Sequence, residues 1–203
     1  MKESKEISEE QGAVLVNTAR FVVTKYLRGE KFDLDADFCS SFSFNSGVFV
    51  TINKGKDLRG CIGYPMPDEK LYTALKQASI AAATEDPRFY PLSADELDSI
   101  TFEVTVLTNP QRILASDPDE YPSKIKIGRD GLIVRYGSNS GLLLPQVPLE
   151  YGWSEKEFLN HTCEKAGLVS SCWHNPETEV FRFEGIVFSE MTPNGPIVRK
   201  QIE

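Results

Sequence analysis

The segment Lys54-Gly55-Lys56-Asp57-Leu58-Arg59-Gly60-Cys61-Ile62-Gly63 decides how this chain is read. It follows Gly47-Val48-Phe49-Val50-Thr51-Ile52-Asn53, a β-branched and aromatic run that predicts a strand. Residues 53–57 carry turn chemistry, with Gly55 free to take a positive φ. Residues 58–62 predict a second, shorter strand, so the pair forms a hairpin. Alternation puts Leu58, Gly60 and Ile62 on one face and Arg59 and Cys61 on the other. Two strand steps separate the Arg59 and Cys61 Cα atoms by about 6.6 Å. A guanidinium at that range favours a thiolate, the reactive form of cysteine. Gly60 and Gly63 leave room beside the cysteine for another backbone or a ligand. The structural alternative is a small buried cysteine whose flanking glycines mark a bulge or tight packing.

Working outward, residues 8–11 form a capping-box pattern and Gly29 sits where a helix-ending glycine belongs. Val14, Leu15, Ala19, Val22, Val23, Tyr26 and Leu27 recur between them at helical spacing, which predicts a long scaffold helix. Residues 32–44 read as a linker that offers Phe38, Cys39, Phe42 and Phe44 for packing. Past the hairpin, Asp68 is placed to cap a helix running to about residue 86, with Leu71, Ala74, Leu75, Ala78 and Ala82 on its apolar stripe. Pro87 stops it. Ser93-Ala94-Asp95-Glu96 starts a short helix. Residues 100–107 alternate cleanly as a strand, with Glu103 on the more polar face.

Residues 110–123 hold three prolines and little periodicity, a loop fit to divide two parts of the fold. Residues 124–127 and 132–136 predict a hairpin about Asp130-Gly131, followed by a flexible loop over 137–141. Ser154-Glu155-Lys156-Glu157 caps a helix ending at Gly167, and residues 180–188 form the last strand. Hairpins mixed with isolated helices and no repeat predict an α+β fold, mainly antiparallel sheet with packed helices, as two lobes sharing one compact unit.

The 203 residues suit one domain, here residues 8–203, with any subdomain boundary open. No run of 18 apolar residues predicts a membrane span, and residues 1–6 lack a signal-peptide core. The four cysteines (Cys39, Cys61, Cys163 and Cys172) show no close-spaced disulfide pattern, which predicts a reducing, cytoplasmic setting. A net charge of −8 disfavours nucleic acid and anionic membranes as partners. His161, Cys163, Cys172 and His174 are an allowed zinc set, but His161 and Cys163 lie two positions apart on a predicted helix and do not share a face. No metal site is therefore predicted. No Ser-His-Asp order, Walker-type loop or dinucleotide fingerprint occurs.

The chain resembles the AMMECR domain family. The likeness rests on Val48-Phe49-Val50-Thr51 with Leu58-Arg59-Gly60-Cys61-Ile62-Gly63, then Asp86-Pro87-Arg88-Phe89, Glu103-Val104-Thr105-Val106-Leu107, Asp130-Gly131-Leu132 and Gly141-Leu142-Leu143-Leu144-Pro145-Gln146-Val147. Gly152-Trp153 and Cys163-Glu164-Lys165-Ala166-Gly167-Leu168 complete it. The resemblance implies a compact α+β domain, with no particular reaction or cofactor, and with Memo-type and radical-SAM proteins as partners.

Five polar or reactive residues fall inside these segments. One arrangement makes Cys61 the nucleophile, Glu103 its general base or orienter, and Arg59, Arg88 and Gln146 the ligand-binding groups. Arg88 in such a cleft favours a small anionic ligand. The other arrangement is structural, with Glu103 paired to Arg59 or Arg88 and Gln146 capping a loop. The site is predicted as one concavity between the two parts of the fold, with Arg59 at its edge. Two function classes stand open: an enzyme or small-molecule-binding protein with a cleft centred on Cys61, and a non-catalytic protein-interaction module.

Overall fold

The computed structural model describes residues 7–200; residues 1–6, read above for a signal sequence, and the C-terminal end of the predicted domain lie outside the described residues. The fold is α+β, helices on antiparallel sheet, as predicted. It divides into two compact units, residues 7–107 with 186–200, and residues 108–185.

In the first unit, α1 (Glu9–Leu27) begins where predicted. Ser8 accepts from the Gln11 amide, and the Gln11 side chain accepts from the Ser8 amide. The helix ends before Gly29, whose φ is +67°. The buried stripe is Leu15, Val16, Ala19, Val22 and Val23. Val14 and Tyr26, assigned above to that stripe, are exposed. The 32–44 linker contains a short helix, α2 (Ala36–Ser41), started by the Asp35 carboxylate on the Asp37 and Phe38 amides.

The hairpin forms as read: β1 (Val48–Lys54) pairs antiparallel with β2 (Asp57–Tyr64), turning at Gly55 with φ +64°. Its register carries a bulge. Ile52 pairs with Gly60 but Asn53 pairs with Leu58, which leaves Arg59 as the extra residue. The unit's strand order is β2-β1-β3-β7, with β3 spanning Ile100–Leu107 and β7 Glu179–Glu190; β8 (Ile197–Lys200), absent from the sequence reading, pairs with β7.

Helix α3 (Leu71–Thr84) starts two residues later than predicted. Lys70, not Asp68, is its N-cap, without a side-chain cap. Its predicted stripe is buried in full and packs with Val48, Val50, Ile52, Phe102 and Val104. The capping box at Ser93 and Glu96 starts a 3-10 turn, Ala94–Ser99. One buried charge pair was not foreseen. Arg20 on α1 donates to both oxygens of Glu190 on β7, at 2.6 and 2.5 Å, and to the carbonyls of Leu97 and Ile100. Glu190 also accepts the Phe102 amide at 3.0 Å.

The second unit has the order β7-β5-β6, with β4 (Gln111–Arg112) also on β7. Here the predicted hairpin is corrected. Residues 124–127 form no strand. The true hairpin joins β5 (Asp130–Tyr136) to β6 (Asn139–Leu143), turning at Gly137 with φ +58°, inside the segment read as a flexible loop. The reason is Asp130. Its carboxylate is buried, accepts the Lys126 amide at 2.8 Å and holds Arg129, which folds residues 126–130 into a turn leading into β5 instead of a two-stranded ladder.

Helix α5 (Glu155–Lys165) starts and ends as predicted, with Ser154 and Glu157 reciprocally capped and Gly167 at φ +73°. Cys163 on α5 is disulfide-bonded to Cys172, which corrects the expectation of four thiols. Nine residues of sequence separation hid the pair, because α5 must end and the chain turn back before the two sulfurs meet. They lie in the unit's core beside Phe158, Leu159 and Trp173.

Candidate functional site

The predicted site residues divide by unit. Arg59, Cys61, Arg88 and Glu103 belong to the first; Gln146 belongs to the second, as the N-cap of α4 (Val147–Tyr151), with no side-chain cap bond.

Arg59 does not serve Cys61. As the bulged residue of β2, its guanidinium turns to Glu96, donating from Nη2 at 2.9 Å and from Nε at 3.2 Å. It also donates to the Tyr90 carbonyl at 2.9 Å. This pairing, with the other bonds to the carboxylate, holds Glu96 down at about 2 against the cost of burial. The sequence offered Glu96 only as a capping residue, and it fills both roles.

Arg88 is likewise paired within the chain, although its side chain is half exposed. Its Nε and Nη2 grip the two Asp86 oxygens at 2.9 and 2.7 Å. Asp86, whose side chain is 3% exposed, also accepts the Cys61 amide at 2.8 Å, while Arg88 reaches the Cys61 carbonyl at 3.3 Å. The Arg88 hydrogen bond holds the Asp86 carboxyl far below the usual range, and burial only partly opposes it. Asp86 is the functional residue that the sequence reading does not single out. Its signal was there: an aspartate two residues before Arg88 bonds that residue's own amide, here at 3.1 Å.

Cys61 and Glu103 do share a face, one strand apart. Thr51 on β1 lies opposite Cys61 on β2 and opposite Glu103 on β3. The Thr51 hydroxyl donates to Cys61 Sγ at 3.3 Å, and Glu103 accepts from Lys200 at 2.9 Å. Two inter-strand steps put the Cys61 and Glu103 backbones about 10 Å apart, so Thr51, not Glu103, is the thiol's immediate partner. Burial pushes the Cys61 thiol up; the Thr51 bond and the Arg88 charge pull the other way without offsetting it. The row therefore offers a neutral thiol, a hydroxyl and an ion-paired carboxylate.

The glycines beside Cys61 serve the fold. A Cβ on Gly60 would stand 2.1 Å from the Ala82 carbonyl oxygen of α3, and one on Gly63 would meet the Phe49 ring at 2.2 Å. The alanine-rich face of α3 and the bare backbone of β2 thus explain each other.

A hairpin with this motif, seated on an alanine-rich helix within an antiparallel α+β fold, defines a recognisable domain class. Residues 16–188 match the family model described as AMMECR1, and the chain belongs to that family. It is 48% identical to a protein of Thermococcus gammatolerans over 97% of this chain and 98% of that one, and 46% identical to a protein of Methanocaldococcus jannaschii over 95% and 96%. The crystal structure of an uncharacterized protein from Pyrococcus horikoshii superposes with a TM-score of 0.84 at 46% identity, covering 96% of this chain and 98% of that one. No helix among the described residues is long and apolar enough to cross a membrane.

Proposed function

We propose that the first unit carries a binding site for a small molecule on the polar face of β1, β2 and β3, with Cys61 at its centre as a neutral thiol. The observation that carries this reading is the register that sets Cys61, Thr51 and Glu103 side by side on three neighbouring strands, away from the buried face. Convergent polar groups on a rigid sheet are the usual basis of a specific site. Arg59 and Arg88 act as positioning residues, because their charges are already met by Glu96 and Asp86. A thermal-shift screen of metabolites against wild type, Cys61→Ala and Thr51→Val tests the reading. Compounds that raise the wild-type midpoint should lose their effect in both variants. Equal effects on all three proteins, or no effective compound, would overturn it.

A second reading is favoured by Tyr90. The residue is 91% exposed, yet its carbonyl is held by Arg59, and Leu92 is tied back to Ala83 at 2.7 Å. An aromatic held in solvent on a fixed backbone suits a protein interface. This supports the interaction module, with the Memo-type and radical-SAM partners that the family likeness implies. A pulldown with purified partners of those two types decides it: binding abolished by Tyr90→Ala but intact in Cys61→Ala supports the module, and binding by neither partner sinks it.

We place the protein in the cytoplasm. The Cys163–Cys172 bond fits there because both residues are buried, 0% and 7% exposed, which denies access to reducing thiols. Equal loss of this bond at cytosolic glutathione levels in native and denatured protein would count against that placement.

A further inference from the structure

In the second unit a cavity of about 550 Å³ opens beside β4, β7 and the turn that precedes β5. Five cations line it: Arg112, Lys124, Lys126, Arg129 and Arg182. No carboxylate among the described residues does. In a chain of net charge −8 such a concentration runs against the average composition, so it is a local feature.

Three of the five have anionic partners at the margin. Arg112 meets Glu179 at 3.0 Å, Lys124 meets Glu120 at 2.7 Å, and Arg129 is held by the buried Asp130 and lies 3.6 Å from Glu184. Lys126 and Arg182 have no carboxylate partner among the described residues. Arg182 is nonetheless fixed, since its Nη1 donates to the Lys124 carbonyl at 3.1 Å. Arg129 is fixed as well, through both Asp130 oxygens. Arg182 thus stands braced with its charge unmatched and Lys126 stands unengaged beside it, while Arg129, its charge met by Asp130, holds the wall in place; the internal bonds already meet the ordering cost of the two guanidinium groups. Preorganised donors of this kind favour an anion that accepts from several directions.

We propose that this cavity binds a small organic phosphate, at a site separate from the Cys61 row. A phosphate dianion presents three acceptor oxygens to cations arriving from different elements, whereas a carboxylate occupies one guanidinium fork. The volume lies in the range of small-molecule sites. Leu114, also in the lining and exposed, gives the organic part an apolar contact. Neither the cavity nor its cations involve residues of the first unit, so failure of this proposal leaves the Cys61 reading intact, and the reverse.

The test is isothermal titration of the full chain at constant ionic strength with pyrophosphate and adenosine monophosphate, and with citrate and a short single-stranded oligonucleotide as competing classes. Saturable binding of a phosphate probe is expected. Lys126→Ala, which removes a side chain without an internal partner, and Arg182→Lys should each weaken it by about tenfold, the usual loss for one charged contact. Cys61→Ser should leave it unchanged. Absence of saturable phosphate binding at millimolar concentration, or binding indifferent to Lys126→Ala, overturns the proposal. Tighter binding of citrate or of the oligonucleotide than of either phosphate overturns the ligand class.

Discussion

The backbone N–H of Cys61 donates to Oδ2 of Asp86 at 2.8 Å, and the same carboxylate clamps the guanidinium of Arg88, which returns to the Cys61 carbonyl. Cys61 is therefore fixed by its backbone through a charge pair at the end of α3. Its side chain is left to the sheet's polar face.

Asp86→Asn should destabilise the protein by about 2 kcal/mol at neutral pH, the scale of a hydrogen bond to a charged group. The sign of the pH dependence follows from the lowered carboxyl. A folded-state value held below the ordinary 3.8 gives stability that is full above that value and lost as pH falls through the folded one. Urea denaturation should show the gap between wild type and variant constant from pH 7 to about 5 and closing below about pH 4. A gap that widens on acidification would contradict the assignment.

Gly60→Ala should cost about 1–3 kcal/mol, because the added methyl meets the Ala82 carbonyl, a backbone atom that cannot swing aside. Gly55→Ala meets no atom and suffers only from its positive φ, so it should cost about 1 kcal/mol. Denaturation midpoints in the reverse order would show that α3 does not rest on β2 at Gly60.

Glu190→Gln should cost about 3 kcal/mol or more, since it leaves the Arg20 charge, 11% exposed, without its carboxylate. The double variant Arg20→Met with Glu190→Gln should recover part of that loss, because the uncompensated charge is gone. A double variant no more stable than Glu190→Gln alone would refute the pairing as the source of the cost.

Non-reduced, denatured protein should titrate as two thiols, Cys39 and Cys61, rising to four after reduction. Closing so short a loop stabilises by about 3 kcal/mol on the chain-entropy account. Reduction should therefore lower the unfolding midpoint, and Cys163→Ala should reproduce the shift. Four thiols before reduction would remove the disulfide.

How much of this was legible follows from the range of each interaction. Local rules placed α1, the β1–β2 hairpin, β3 and α5, because the Ser8 and Ser154 capping boxes, Gly55 and the alternation at 100–107 act within a few residues. Asp130 defeated a local rule. Asp-Gly signals a hairpin turn, but a buried aspartate satisfying the Lys126 amide builds a different one. The candidate residues were picked out by type and segment, yet their partners were not. Simple alternation assigns Arg59 to Cys61; the one bulged residue in β2 sends it to Glu96 instead. Arg20–Glu190 spans 170 positions and Lys124–Arg182 spans 58, distances over which no periodicity reports.

The central claim is that Cys61 works as a neutral group positioned by Asp86 and Thr51, not as an activated nucleophile. The pH dependence of Cys61 alkylation in the native protein, followed residue by residue by mass spectrometry with Cys39 as internal reference, tests it most directly. The account predicts a rate that keeps rising through pH 9, with a midpoint above that of an ordinary thiol, about 8.5. A midpoint below pH 7, with labelling faster than a free thiol at neutral pH, would contradict it.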